Sequence, residues 1–217
     1  MINRAKLPLY GNDLIEYQTL SYILSNSGMF VPTISDLARY TEMYPNATWK
    51  SYPISLEWIP VNTTLEVEME KAIQKQIRKA GRIADKLERE INFFVAGHCA
   101  GDKLIFDKNF QYVIGEKGYC LPSENMIGES QMYLQCCTKG VVMNGHTHPS
   151  NKEVSEYASL MDLLSTYNET VMFEKYVFES KWAYTRKNVF VSSIFTNGTN
   201  QIYRFNSDLF IFERVNS

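Results

Sequence analysis

Residues 140–149 read Gly140-Val141-Val142-Met143-Asn144-Gly145-His146-Thr147-His148-Pro149. A short apolar run enters a His-x-His pair closed by proline, which predicts a buried strand whose end opens to solvent. In extended backbone, residues i and i+2 point to one face, so both imidazoles can reach one ion. On the N-terminal side, residues 128–139 fit a helix with Gly140 as its stop. On the C-terminal side a polar loop leads to a helix expected over 159–167. Strands are expected at 91–97, 103–106 and 111–114 upstream, and at 171–178, 189–195, 201–205 and 209–214 downstream. This order of elements predicts a mixed α/β domain, a mixed sheet flanked by helices.

Farther upstream the chain changes character. Thr63 followed by Glu66 has capping-box form, and Leu65, Met69, Ile73 and Ile77 recur at four-residue spacing. An amphipathic helix is therefore expected from this point, with Lys71, Lys75, Arg78 and Lys79 on its solvated faces and Gly81 ending or kinking it. Before it, five of the seven prolines fall in the first sixty residues, predicting short pieces. One helix is expected from Leu14 to near Gly28, and a second, capped by Ser35, through Tyr44. Trp49 and Trp58 belong to a flap packed on the main domain. The division expected is an extension over 1–61 and a principal domain over 62–217.

Composition narrows the function classes. The 217 residues are 45% hydrophobic and 21% charged, an ordinary globular balance. A formal net charge of -2 supplies no field for a phosphate backbone, so nucleic-acid binding is not expected. The apolar runs are too short to span a bilayer, and the first residues lack the apolar core of a secretory signal. A soluble cytoplasmic protein is expected, without a membrane partner. Cys99, Cys120, Cys136 and Cys137 lack C-x-x-C spacing and read as free thiols of a reducing compartment. The sequons at Asn46, Asn62, Asn168 and Asn197 would matter only in a secreted protein.

The metal constellation needs more than two histidines. A zinc site that does chemistry has three protein ligands and an open fourth position, and a carboxylate on a following helix is a natural third ligand. Asp162 lies in such a helix. Glu90 opens the strand-like run Glu90-Ile91-Asn92-Phe93-Phe94-Val95-Ala96-Gly97, which a neighbouring strand could bring to the histidines.

Together these residues resemble the JAB/MPN metalloproteases with their JAMM zinc motif. Glu90 with Gly97 matches the family's first-strand pattern. His146-Thr147-His148-Pro149 matches the central segment, and Ser159 with Asp162 matches the last. The resemblance covers the chain from Asn62 to Arg214 and leaves the N-terminal region outside. It implies the family's fold, which is akin to that of cytidine deaminases, and zinc held by His146, His148 and Asp162. It also implies that Glu90 manages the proton of the attacking water and that Ser159 donates to the oxyanion. The activity implied is hydrolysis of a peptide or isopeptide bond at the tail of a ubiquitin-like or other small protein modifier.

This sequence departs from the family in three places. The loop before Asp162 is longer by three residues, which leaves Glu153 and Glu156 as competing ligands. Asn144-Gly145 replaces a bulky aromatic before the first histidine, and Phe93 stands where a small residue is usual. A JAB-like scaffold without turnover is the alternative function. A purely structural metal would need a fourth ligand such as His98 or a cysteine.

Overall fold

The computed structural model describes residues 9–59, 63–137, 139–149, 157–179 and 189–215. Its centre is a curled, mixed seven-stranded sheet. In chain order the strands are β1 (Pro53–Ile54), β2 (Glu66–Met69), β3 (Ile91–Ala100), β4 (Lys103–Ile114), β5 (Gly140–Thr147), β6 (Ala158–Ser159), β7 (Val189–Thr196), β8 (Thr199–Asn206) and β9 (Ile211–Val215). The large sheet runs β2-β4-β3-β5-β7-β8-β9, while β1 and β6 form a separate two-stranded sheet. The β2–β4 and β5–β7 pairs are parallel and the others antiparallel. The helices are α1 (Asn12–Asn26), α2 (Ile34–Met43), α3 (Lys71–Leu87), α4 (Glu124–Cys136) and α5 (Leu160–Glu179). The mixed α/β class expected from the order of elements is what forms.

Side-chain alternation along β3 and β5 divides the core. Phe93, Val95, Val141 and Met143 point to one face, where Ile73 and Ile77 of α3 cover them. Phe94, Ala96 and Val142 point to the other, beneath Met126 and Leu134 of α4. Helix α5 also lies on this second face. Its Leu160, Leu163 and Leu164 share a cluster with Ile194, Tyr203 and Phe212 of the sheet and with Leu20, Leu37, Trp49 and Leu56 from the N-terminal region. Residues 9–59 thus contribute to a core held in common with α5 and β7–β9.

Several local expectations need correction. The helix expected from Thr63 begins at Lys71, because Leu65, Val67 and Met69 alternate with Glu66 and Glu68 and pack as a strand beside β4. Thr63 instead accepts a hydrogen bond from the Leu65 amide at 3.0 Å. Gly81 lies inside α3, where close contact with Phe195 leaves no room for a Cβ. The pieces expected at 103–106 and 111–114 are one strand. Helix α4 starts at Glu124, capped by Ser123, and Gly140 opens β5. Thr33, not Ser35, caps α2. The strand expected over 171–178 is the second half of α5, despite its aromatic and β-branched residues.

Gly97 has a definite spatial reason. At this position β3 and β4 shift register, and a Cβ would lie 2.0 Å from the carbonyl oxygen of Ile105. All four cysteines are free thiols, and no helix among the described residues is long and apolar enough to cross a membrane.

Candidate metal centre

Strand β5 presents Asn144 and His146 on the α5 face, and His148 follows where the strand ends. The His148 amide still bonds the Phe195 carbonyl at 2.9 Å, which holds the strand end against β7. Opposite it, the first turn of α5 carries Asp162. Ser159 is the N-cap: its Oγ accepts from the Asp162 amide at 3.2 Å, and Asp162 Oδ2 accepts from the Ser159 amide at 2.7 Å. This reciprocal capping box directs the Asp162 carboxylate back toward the helix start, where the imidazoles stand.

The three side chains converge. His146 Nε2 lies 3.1 Å from Asp162 Oδ1, His148 Nε2 lies 3.6 Å from Asp162 Oδ2, and the two Nε2 atoms are 2.9 Å apart. Ligands about 2.0–2.1 Å from a tetrahedral zinc are about 3.3 Å from one another, so the observed separations bracket those such an ion requires. One ligand atom from each residue falls within 4.8 Å of the others, and among the described residues no further His, Cys, Asp or Glu joins the group. These three donors could therefore hold a metal ion. Glu153 and Glu156, the competing acids, lie outside the described residues.

Electrostatics agrees with the geometry. Burial pushes the His146 imidazole down, but the Asp162 charge and hydrogen bond, helped by Glu90 and Glu169, lift it to about 9. Burial pushes Asp162 up, and the adjoining imidazoles, with the Ser159 amide, more than reverse this and hold it well below the usual carboxylate range. The three part-buried side chains thus place an ionised carboxylate against two imidazoles, and a cation bound there would take the place of the proton on His146.

Glu90 immediately precedes β3. The β3–β5 register pairs Asn92 with His146, and continuing it sets Glu90 opposite His148. Three bonds hold that position: the Ile91 amide donates to Thr147 Oγ1 at 3.0 Å, the Gly115 amide donates to the Glu90 carbonyl at 2.8 Å, and the Glu90 amide donates to the Glu116 carbonyl at 3.2 Å. The Glu90 charge acts on His146. His98, the fourth ligand considered for a structural metal, pairs instead with Gly140 and lies 3.5 Å from Asp107. Six residues along β3 separate it from Asn92, about 20 Å of strand. Cys120 accepts a hydrogen bond from the Asn92 amide at 3.1 Å and stands outside the ligand group.

Two features were not anticipated. Asn144 donates to both carboxylate oxygens of Glu169 at 3.0 Å, and burial pushes that carboxyl up to about 7. Asn144 lies two residues before His146 and Glu169 lies seven after Asp162, so strand and helix periodicity together held the signal. Gly145 lies opposite Phe93, and a Cβ there would be 2.3 Å from the ring. Gly145 and Phe93 are thus complementary in volume across the strand pair. A scan against known protein-family models finds no match for this chain, and neither does a search of curated proteins.

Proposed function

We propose that this chain is a zinc-dependent peptidase of the JAB/MPN type, cleaving a peptide or isopeptide bond at the C-terminal tail of a ubiquitin-like or similar protein modifier. The supporting observation is the three-donor set of His146, His148 and Asp162, with the Ser159 hydroxyl on the same turn and Glu90 across the strand end. A zinc ion held there would acidify water and polarise the scissile carbonyl. Glu90 takes the proton of the attacking water and delivers it to the leaving amine, the work of a carboxylate that is not itself a ligand. Ser159 already accepts from the Asp162 amide, and its hydroxyl donates to the oxyanion that develops on attack. Asp162 fixes the ligand geometry because its second oxygen is committed to the capping box.

One observation favours the reading as a scaffold without turnover. The Ser-x-x-Asp spacing already has a structural use as a helix cap, so those two residues do not by themselves require catalysis. The deciding experiment incubates the purified protein with a panel of modifier conjugates, with and without chelator. Cleavage that stops on chelation and returns with zinc supports the peptidase. A zinc-loaded protein that cleaves none of the conjugates, and whose Glu90→Gln variant binds them as well as the parent does, establishes the scaffold.

A further inference from the structure

The two imidazoles and the acid are set by different parts of the fold. His146 and His148 are set by β5 at the centre of the large sheet, whereas Ser159, which caps the turn carrying Asp162, belongs to the two-stranded sheet. In that small sheet Pro53 pairs with Ser159 and Ile54 with Ala158. The Leu160 amide, at the first position of α5, donates to the Tyr52 carbonyl at 3.0 Å. Amides in the first turn of a helix have no intrahelical acceptor. Here the N-terminal region supplies one for Leu160 and Ser159 supplies another for Asp162.

The same region is anchored firmly at its other contacts. Trp49, Ile54, Leu56 and Ile59 are buried in the cluster that contains Leu160 and Leu163. Trp49 packs edge-on against Tyr17 of α1, with ring centroids 5.7 Å apart, and Tyr40 of α2 donates to the Ser51 carbonyl at 3.0 Å. Residues 52–54 are thus held from behind by α1 and α2 and bonded in front to the turn that carries the acidic ligand.

We infer that residues 52–54 are a positioning strap for the 159–162 turn, and that strap docking and cation uptake by His146, His148 and Asp162 are thermodynamically coupled. The inference rests on the reading of those residues as a metal site. Without the strap, the first turn of α5 loses an acceptor and the Asp162 carboxylate loses its fixed bearing, while the histidines keep theirs. A cation that needs all three donors then binds only the strapped state well, and by reciprocity its binding tightens the strap.

The test uses Co²⁺, whose visible absorption reports both affinity and ligand geometry. Leu160→Pro removes the amide that bonds Tyr52, at a helix position and after an extended residue that both accept proline. Leu160→Ala keeps the amide and loses more apolar volume, so any effect of packing runs the opposite way. The expected result is Co²⁺ affinity about tenfold weaker in Leu160→Pro than in Leu160→Ala, with an altered visible spectrum. Equal affinities and identical spectra overturn the coupling and leave the metal site standing. If Leu160→Pro does not fold, the parent decides the matter by hydrogen exchange. Co²⁺ should slow exchange of the Leu160 amide and of the segment over 50–59, and unchanged rates there beside slower exchange in β5 overturn the inference. A parent that binds Co²⁺ no better than His146→Ala removes the metal reading and this inference together.

Discussion

Gly145 stands opposite Phe93 across the β3–β5 pair, and a Cβ on the glycine would lie 2.3 Å from the ring. The ring occupies the volume that a side chain at 145 would take, one residue from a candidate ligand. Gly145→Ala must therefore displace Phe93, which is fully buried, and should destabilise the protein by about 1–3 kcal/mol. Phe93→Ala makes a cavity and costs about 3–5 kcal/mol alone. The double variant should be more stable than the sum of the two costs predicts, because the added methyl enters vacated space. Chemical denaturation of the four proteins measures the coupling, and strict additivity would show that the two residues do not share this volume.

Removing a ligand tests the metal centre directly. The parent should hold about one zinc per chain, and His146→Ala or Asp162→Ala should lose most of it. Metal analysis after gel filtration reads this out. Bound cation should also raise thermal stability, by about 2.7 kcal/mol at a free concentration one hundred times Kd, and the ligand variants should lose this increment. A variant that keeps both zinc and increment identifies a residue that is no ligand.

How much of this was legible beforehand depended on the range of the signal. His146 and His148 declare themselves through i,i+2 spacing at the end of an apolar strand. Asp162 is suggested by its place in the following helix and Ser159 by resemblance, and their capping box is a local pattern visible in the sequence. The rest of α5 misled because Val171 and Phe173 favour strands by type, while Asp162, Thr166, Glu169 and Phe173 repeat at helical spacing. In β2 the error ran the other way, since Leu65 and Met69 satisfy both periods and only pairing with β4 chooses between them. The pairing of Pro53 with Ser159 had no legible signal. A two-residue strand carries almost no pattern, and more than one hundred residues separate the partners.

Glu90 and Ser159 carry the proposed chemistry, and each has a variant that separates reaction from structure. Glu90→Gln retains the shape and leaves His146, His148 and Asp162 in place, so it should keep the metal and lose at least about 10²-fold in kcat. Ser159→Ala would lose the cap, costing about 1 kcal/mol, together with the oxyanion donor. Ser159→Gly separates these effects, because glycine at an N-cap costs only a few tenths of a kcal/mol but offers no side-chain donor. It should fold with near-parent Tm and lose about 10²–10³ in kcat. Full activity in Ser159→Gly would restrict Ser159 to its role as a cap.

The buried acid behind the site predicts how stability follows pH once metal is chelated. Glu169 is raised from 4.5 to about 7, first by burial, against the Asn144 hydrogen bond and the His146 charge. A group whose pKa is higher folded than unfolded stabilises the fold fully below its unfolded value and loses that contribution as pH rises through the folded one. Glu169 therefore favours the native state near pH 4.5 and ceases to do so by about pH 7. His146, raised from 6.5 to about 9, continues the same decline over the next interval. Asp162 is depressed, so its contribution is present throughout this range and is lost only in strong acid. The metal-free protein should thus lose thermal stability steadily from pH 5 to pH 9. Glu169→Gln cannot ionise and still accepts from Asn144 through its amide oxygen, so its curve should flatten between pH 5 and 7 and keep the decline from 7 to 9. The difference between the curves has a ceiling of about 3 kcal/mol, the worth of a shift of this size. Parallel Tm curves for parent and Glu169→Gln would show that the acid ionises in the fold as readily as in the unfolded chain.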